Sequence, residues 1–248
     1  MITKNTTKLI QSLKQVKYRK EHQLFIVEGR KSVEELLRSS FETVGLYATE
    51  RFIQDQQWDD PRIEIANETQ MEQMSGLDTP PGILAVVRIP QKKMEQLPQE
   101  PLSLVLDGIN NPGNLGTIIR TAEWFGVKNI VCSEDCVEAW NPKVIQATMG
   151  SIFRVNVVNT DLDAFLQGQQ SQDKAIYGAL LQGESLFGKS QWKEGVLVIG
   201  SESHGIRKPL LPRITHPITI PRAEGSLTES LNASMATGII LAFWASKS

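Results

Sequence analysis

The stretch Leu102–Arg120 reads LSLVLDGINNPGNLGTIIR. Its first five residues are apolar except for Ser103, which is typical of a buried strand. A turn rich in Gly and Asn follows, and the apolar spacing over Leu115–Phe125 then predicts a helix. Gly126 would end this helix, because glycine readily takes the left-handed conformation of a helix cap. A strand, a tight turn and a helix in this order indicate the start of an α/β domain.

The same alternation of strand and helix patterns continues to the end of the chain. Buried strands are predicted at Asn129–Cys132, Val155–Val158, Ala175–Leu181 and Val196–Ile199, and a last helix at Ser230–Trp244. Apolar strands that alternate with helices predict a parallel sheet covered on both faces. We therefore predict one α/β domain at residues 102–248. A linker at residues 91–101, rich in Gln, Lys, Glu and Pro, precedes it.

Residues 1–90 predict a smaller α/β domain. A basic, helical stretch opens it, and the elements that follow are a strand at Leu24–Val27, a helix at Ser32–Leu37 and strands at Val44–Tyr47 and Ile83–Arg88. The first 31 residues hold eight Lys and Arg against two Glu. Such a local excess of positive charge indicates a polyanion partner. A solvated helix face is the alternative explanation.

Composition limits the class of protein. The chain has 248 residues and a net charge of −2, and it has no run of about 18 apolar residues that could span a membrane. Its polar start predicts no secretion signal, so we expect a cytoplasmic protein. Cys132 and Cys136 are too few for a disulfide framework and have no ligand pair nearby for zinc. We expect reduced thiols and no metal.

Three segments at the ends of predicted strands could carry chemistry, because parallel sheets bind ligands at the carboxyl ends of their strands. The first is the turn before the helix at Leu115–Phe125, which can present backbone N–H groups to an anion. Gly113-x-x-Gly116 is only part of a dinucleotide fingerprint. Asn114 is alternatively a simple helix cap, and Arg120 is either an exposed ion-pair partner or a buried phosphate clamp.

The second and third segments follow later strands. After Val196–Ile199, Gly200 lets the backbone approach a ligand closely, and Glu202 comes almost at once; a solvated Glu in an ordinary turn is the alternative. The third segment runs from Ile218–Pro221 to a helix start made of small polar residues. Ser230 could cap that helix, which is alternatively a plain amphipathic helix.

Together and in this order, the three segments resemble the SpoU–TrmH branch of the SPOUT superfamily of RNA methyltransferases. Its Asn-Pro-x-Asn-x-Gly-x-x-x-Arg motif is matched by Asn111, Pro112, Asn114, Gly116 and Arg120. Its Gly-Ser-Glu-x-x-Gly motif is matched by Gly200, Ser201, Glu202 and Gly205. Its Ile-Pro and Ser-Leu-Asn motif is matched by Ile220, Pro221, Ser230, Leu231 and Asn232. Phe25–Gly29 and the helix after it resemble the ribosomal-protein-like substrate-binding domain often fused ahead of this one.

The resemblance implies a C-terminal trefoil knot, a homodimer and S-adenosylmethionine as the donor of a methyl group to a ribose 2′-hydroxyl of RNA. It places Gly200, Ile220 and Leu231 at the cofactor, with Ser201, Pro221 and Asn232 as weaker candidates. Arginine is a poor base because its pKa is above about 12. We therefore expect Arg120 to clamp a phosphate and stabilise the developing alkoxide.

Further roles follow from the same resemblance. Asn114, Glu202, Ser230 and Asn232 would position the ribose and Arg120, and Glu202 is alternatively the base. RNA affinity would come from the first domain through Lys14, Lys17, Arg19, Lys20 and Arg30. Ribosomal RNA is expected rather than transfer RNA, because the fused domain resembles those of ribosome-associated members. A transfer RNA 2′-O-methyltransferase is the nearest alternative.

Three features depart from the family pattern or favour another class. Arg222 follows Ile220-Pro221 where the family usually has Met, and the loop 222–229 is slightly longer than usual. An NAD-dependent oxidoreductase is an alternative, since Glu134 is near the place expected for a ribose-binding acid. A non-catalytic RNA-binding protein of the same fold is another, which the intact polar motif residues oppose.

Overall fold

The computed structural model describes residues 2–188 and 191–247. The chain forms two compact units. The N-terminal unit combines the chain up to Gln91 with Glu138–Phe153, and the C-terminal unit combines Lys92–Val137 with the chain from Arg154 onward. The predicted domain limits at residues 90 and 102 stay a prediction, but Glu138–Phe153 lies within the predicted second domain and packs in the N-terminal unit.

The helices and strands alternate along most of the described chain. The α-helices are α1 (Lys4–Ser12), α2 (Val16–His22), α3 (Arg30–Leu37), α4 (Glu50–Gln56), α5 (Glu68–Met74), α6 (Pro112–Trp124), α7 (Pro142–Thr148), α8 (Leu162–Ser171) and α9 (Ala233–Ala245). The strands are β1 (Leu24–Glu28), β2 (Thr43–Ala48), β3 (Ile63–Ile65), β4 (Ile83–Arg88), β5 (Leu102–Asp107), β6 (Asn129–Cys132), β7 (Asn156–Asn159), β8 (Ala175–Ser185), β9 (Gly195–Gly200) and β10 (His216–Thr219).

The N-terminal unit is built on a four-stranded mixed sheet in the order β1-β4-β2-β3. Strand β4 is antiparallel to both β1 and β2, whereas β2 and β3 are parallel. Ile10 of α1, Leu13 directly after that helix and Met71 of α5 share one core with Ile26 and Leu84 of the sheet. Helix α1, in the basic start of the chain, is therefore amphipathic: one of its faces packs in the core and the other is exposed.

The segment Glu138–Phe153 joins this unit through aromatic packing. The ring of Trp140 lies 4.8 Å from that of Phe25, and the ring of Phe153 lies 5.2 Å from that of Phe41. Close aromatic pairs of this kind bury a large apolar area. They explain why a segment that follows β6 in sequence packs with residues more than 100 positions earlier.

The C-terminal unit contains the predicted parallel sheet. Its six strands are all parallel, in the order β10-β8-β9-β5-β6-β7. Asp107, the last residue of β5, pairs with Gly200, the last residue of β9. The first and second predicted segments therefore leave the sheet side by side at its carboxyl edge. The predicted α/β fold with a smaller N-terminal domain is confirmed, and the trefoil knot stays a prediction.

Two helices begin at residues other than those expected. Asn111, not Asn114, caps α6, and its Oδ1 accepts the N–H groups of Gly113 and Asn114 at 2.8 and 3.2 Å. Pro112 takes the first helical position, where its missing N–H costs nothing. Asn232, not Ser230, caps α9, with Oδ1 accepting from Ser234 at 3.0 Å. In the described part of the chain, no helix is long and apolar enough to cross a membrane.

Candidate active site

A buried carboxylate fixes the loop after β9 to the end of β5. The Asp107 side chain is fully buried, and it accepts the backbone N–H of Arg207 at 2.7 Å and the Arg207 Nε–H at 2.5 Å. A buried carboxylate is stable only when it is paired and hydrogen-bonded. This pair was not predicted from the sequence, although an acid at the end of a buried apolar strand is a usable signal.

One side chain from each of the three motifs meets in a hydrogen-bonded cluster. Asn114 donates its side-chain N–H to the Glu202 carboxylate. Asn232 donates its Nδ2–H to Asn114 Oδ1 at 3.0 Å and to Glu202 Oε1 at 3.3 Å. Residues 88 and 118 positions apart in sequence thus form one polar cluster at the carboxyl edge of the sheet.

The start of α9 holds Glu202 in this cluster. Glu202 Oε1 also accepts the backbone N–H of Ala233, the first residue of the helix, at 3.4 Å. The positive end of a helix dipole favours a carboxylate at this position. Oε1 of Glu202 therefore has three protein donors, from Asn114, Asn232 and Ala233.

A cavity of about 690 Å³ opens beside the cluster. Apolar walls come from residues such as Ile199, Ile218, Ala236 and Ile240. Of the predicted site residues, those that line it are Gly200, Ser201, Glu202, Ile220, Ser230 and Leu231. The others, Pro221, Asn114, Arg120 and Asn232, are outside its lining.

The cavity has the size and chemistry that a nucleoside-bearing sulfonium requires. Pockets for ligands of this size occupy about 300–1,000 Å³ and combine apolar walls with a few polar groups. The loops after β9 and β10 close it, and because they lie outside regular elements, their backbone groups can bond a base and a ribose. S-adenosylmethionine fits this arrangement, and Gly200, Ile220 and Leu231 would hold it.

Gly200 occupies a position where a side chain has no room. A Cβ there would lie 2.0 Å from the carbonyl carbon of Gly205. Ser201 and Gly205 form a β-bridge, and Gly205 has a φ of +65°, in the left-handed region. The second motif therefore folds back on itself in a tight loop that needs glycine at both of its ends.

Arg120 lies on the exposed face of α6, so the first of its two predicted alternatives is met in its exposure but not in its ion pair. Among the described residues, no hydrogen bond or ion pair involves its guanidinium. The structure therefore brings Asn114, Glu202 and Asn232 together and leaves Arg120 available to a ligand. Its role as a clamp stays a prediction.

The loop that departs from the family pattern closes on itself. Arg222 Nη1 donates to the carbonyl of Thr228 at 3.1 Å, and Arg222 does not line the cavity, whereas Glu229 does. Glu134, which the oxidoreductase alternative requires, lines a different cavity of about 430 Å³ together with Asp161 and Asp163. It is therefore not a ribose ligand in the cavity beside Gly200.

The predicted RNA-binding residues separate into one buried arginine and four basic residues at the surface. Arg19 is 1 % exposed, and its guanidinium donates to the carbonyls of Leu13 and Lys14 and to the Glu138 carboxylate. The prediction that Arg19 binds RNA is wrong, because all of these donors point into the protein. The residues that keep their charge at or near the surface are Lys14, Lys17, Lys20 and Arg30.

The two cysteines, Cys132 and Cys136, are buried free thiols. The Ile109 N–H donates to Cys136 Sγ at 3.2 Å. Hydrogen bonds from Cys132, then from Ser133 and the Ile109 backbone, lower the pKa of Cys136 to about 6. The same bond to Cys136, together with burial, raises the pKa of Cys132. Within the described residues, no group of acidic, Cys and His side chains could hold a metal ion.

A parallel sheet with a nucleoside-sized cavity and a polar cluster at its carboxyl edge defines a cofactor-binding α/β enzyme fold. Residues 101–242 match the SpoU rRNA Methylase family, and residues 4–85 match an MRM3-like substrate binding domain. The chain belongs to the SpoU rRNA methylase family. The predictions of an RNA methyltransferase and of S-adenosylmethionine as its cofactor are confirmed.

Individual relatives cover at least nine tenths of the chain. The chain is 27 % identical over 232 residues to the 23S rRNA (guanosine(2553)-2′-O)-methyltransferase RlmP of Bacillus subtilis (strain 168), covering 91 % of this chain and 90 % of the relative. A structure described as an RNA methyltransferase of the TrmH family from Porphyromonas gingivalis has 33 % identity, a TM-score of 0.90 and full coverage of both chains. The AdoMet-bound rRNA methyltransferase of Sinorhizobium meliloti has 26 % identity and a TM-score of 0.85, covering 99 % and 95 %.

Proposed function

We propose that this protein methylates a ribose 2′-hydroxyl of ribosomal RNA. The observation that carries the proposal is the cluster of Asn114, Glu202 and Asn232 beside the cavity lined by Gly200 and Leu231. Family membership supplies the methyl donor, and the Bacillus subtilis and Sinorhizobium meliloti relatives are named for ribosomal RNA. Transfer RNA is the alternative substrate.

The protein's contribution is to hold the reacting groups in line. S-adenosylmethionine would supply the methyl group of its sulfonium to the ribose oxygen and leave as S-adenosylhomocysteine, and the hydroxyl proton would pass to solvent. The loops after β9 and β10 hold the donor, and the polar cluster orients the ribose next to it, which lowers the entropic part of the barrier. The free guanidinium of Arg120 binds the phosphate beside that ribose in a fork of two hydrogen bonds and stabilises negative charge on the attacking oxygen.

Glu202 acts in this scheme by positioning its neighbours. Its Oε1 accepts from Asn114, Asn232 and the Ala233 N–H, and these three donors fix the carboxylate against its neighbours. Its Oε2 accepts from no described residue and is the atom that would act if Glu202 were instead the base. Ser230, which lines the cavity, has a hydroxyl available to the ribose. A Glu202→Gln variant should therefore lose rate at every pH and keep the midpoint of the pH–rate profile.

The test is transfer of tritiated methyl groups to RNA. Purified protein should label ribosomal RNA from a strain that lacks this protein, and nuclease digestion should locate the label on one 2′-O-methylated nucleotide. Arg120→Lys should retain cofactor binding and lose most of the turnover, because a single ammonium cannot form the fork. Label on transfer RNA alone would move the proposal to that substrate, and label on neither RNA would contradict it.

The N-terminal unit is proposed to provide RNA affinity through Lys14, Lys17, Lys20 and Arg30. Phosphate contacts release counterions, so RNA affinity should fall steeply with salt. A Lys17→Gln, Lys20→Gln double variant should weaken binding to all RNA sequences alike and lower the slope of log affinity against log salt. A salt dependence equal to that of the native protein would contradict this role.

A homodimer formed by the C-terminal unit completes the proposal. Trp124, Phe187 and Met235 are large apolar side chains with exposures of 81 %, 60 % and 61 %. Exposed apolar surface of this kind favours a protein contact, and two-fold dimers are the commonest assembly. Light scattering on the native protein and on Met235→Glu tests it: the native mass should be twice 27.7 kDa and the variant should dissociate. A cytoplasmic location stays a prediction.

A further inference from the structure

The N-terminal unit contains a cavity of its own, of about 410 Å³. It lies between β1, the turn after α5 and helix α7. Its apolar walls include Ile26, Leu77 and Ile145, and its polar groups are Glu28, Lys143 and Gln146. Its volume lies within the range of about 300–1,000 Å³ of small-ligand pockets. The methyl-transfer site and its three motifs use none of these residues.

Glu28 gives the cavity its chemical character. The residue is 6 % exposed, its Oε2 accepts the Ser75 hydroxyl at 2.5 Å and its Oε1 accepts the Gly76 N–H at 2.9 Å. No Lys or Arg of the described chain forms an ion pair with it. Buried carboxylates are normally paired with a cation or hydrogen-bonded to capacity. Each of the two oxygens here has one protein donor and room for a second.

A ligand for this cavity needs an apolar ring and two adjacent N–H donors. Guanine presents such a pair, N1–H and N2–H, on its Watson–Crick edge. Adenine and cytosine alternate a donor with an acceptor on that edge, and uracil has a single N–H between two carbonyl groups. Proteins that bind RNA in a sequence-specific way take up unstacked bases in this manner, with side-chain hydrogen bonds to the Watson–Crick edge.

The charge of Lys143 points to a nucleotide rather than a free base. Lys143 lines the same cavity and is exposed, and among the described residues its ammonium has no ion-pair partner. An exposed ammonium next to a base-sized pocket is suited to the phosphate of the same nucleotide. Glu28 inside the cavity would thus bind the base, and Lys143 at its exposed edge would bind the phosphate of the same nucleotide.

We propose that this cavity binds one unstacked guanine base of the RNA, with its Watson–Crick edge against the Glu28 carboxylate. The proposal rests on the proposed function only in taking the ligand from RNA. Its competitor is a structural role, in which Glu28 does no more than fix the turn at Ser75–Gly76. Glu28→Gln separates the two, because an amide keeps the shape of the side chain and has only one acceptor oxygen.

The test is binding of the full-length protein to fluorescent single-stranded 12-nucleotide RNAs, followed by anisotropy. One oligonucleotide is all uridine, and the others carry a single central guanosine, inosine or adenosine. A bidentate contact predicts that the guanosine RNA binds about 10-fold more tightly than the adenosine RNA. Inosine, which lacks the N2 amino group, should fall between them.

Variants identify the group that discriminates. Glu28→Gln should bind the guanosine and adenosine RNAs equally, whereas the all-uridine RNA should be unaffected. Glu21→Gln makes the same change of charge at an exposed residue of α2 and should keep the preference. Lys143→Gln should weaken the guanosine RNA most, because its ammonium binds the phosphate of the nucleotide whose base enters the cavity. If Glu28→Gln does not fold, Gln146→Trp, which fills the cavity from a half-buried position, must abolish the preference instead.

Three results would overturn the proposal: equal affinity for the guanosine and adenosine RNAs, a preference that survives in folded Glu28→Gln, or displacement of the probe by N-acetylarginine amide and not by GMP. The last would assign the cavity to a guanidinium group. Methyl transfer to ribosomal RNA is measured separately. A guanine preference without methyl transfer would contradict the proposed function alone, and methyl transfer without the preference would contradict this inference alone.

Discussion

Replacement of Gly200 by alanine tests whether the tight loop of the second motif shapes the cofactor cavity. Gly200 ends β9 and lines the cavity. The added methyl group would lie 2.0 Å from the Gly205 carbonyl carbon and 2.2 Å from the Ile206 nitrogen, where ordinary contacts begin at 3.4 Å. Both neighbours are backbone atoms, so no side chain can turn away to make room.

The size of the effect follows from that overlap. The backbone on one side must move by about 1 Å or more, and overpacking of this kind costs about 1–3 kcal/mol. Because residues 200–206 form one wall of the cavity, the displaced wall loses contacts to the cofactor. A misplacement of about 1 Å can lower a reaction rate about 100-fold. We expect a loss of the same order in cofactor binding, so that the dissociation constant of S-adenosylmethionine rises by about 100-fold.

Isothermal titration calorimetry with S-adenosylmethionine gives the dissociation constant, and a thermal melt gives the stability. Gly205→Ala is the matched control within the loop, because its Cβ would meet nothing within 4 Å although its φ is +65°. It should lower the melting temperature through backbone strain and affect the dissociation constant much less. Gly168→Ala in α8, also with open space, should leave the dissociation constant unchanged and raise the melting temperature slightly, because alanine is the better helix former. If Gly200→Ala bound the cofactor within threefold of the native protein, the argument from backbone overlap would be refuted.

Three further predictions concern buried polar groups. Glu138→Gln should destabilise the protein by about 3–5 kcal/mol in urea unfolding, because it leaves the buried Arg19 guanidinium without its counter-ion; a loss below about 1 kcal/mol would argue against a structural role for Arg19. Asp107→Asn should lower cofactor affinity as well as stability, because Arg207 and the loop before it lose their anchor; unchanged calorimetry would contradict this. The pKa of Cys136 is lowered from 9.0 to about 6, so its thiolate stabilises the fold above pH 9 and this stabilisation is lost as the pH falls towards 6. The free energy of unfolding should fall over that range in the native protein and much less in Cys136→Ser.

The sequence contained enough information for the sheet and for the site's location in it. Leu104–Leu106 in β5 and Val196–Ile199 in β9 are apolar runs that end in Asp107-Gly108 and Gly200-Ser201, and such runs end where the backbone must turn. Both predicted strands are parallel, so their ends had to meet at one edge. The meeting of Asn114 and Glu202 was therefore predictable in outline from local patterns alone.

Contacts between distant segments could not be predicted in this way. Arg19 has the same local pattern as its basic neighbours, and only the contact with Glu138, 119 residues away, shows that it is buried. The packing of Glu138–Phe153 in the N-terminal unit depends on the contacts of Trp140 with Phe25 and of Phe153 with Phe41. The periodicity of apolar residues along the sequence does not predict such contacts. The caps are different: Asn111 before Pro112 is a helix start that positional preferences alone could have identified.

The third motif requires an amide at Asn232 because the oxygen and the nitrogen of this side chain have different partners. Its Oδ1 caps α9 by accepting from Ser234 and Met235, and its Nδ2 donates to Asn114 and Glu202. Aspartate would cap the helix as well as asparagine, but it has no N–H to donate and would set a second carboxylate against Glu202. Serine would cap the helix and be too short to reach across. Asparagine alone satisfies both the helix and the cluster, so the residue that starts α9 also sets the position of the two polar groups beside the cofactor cavity.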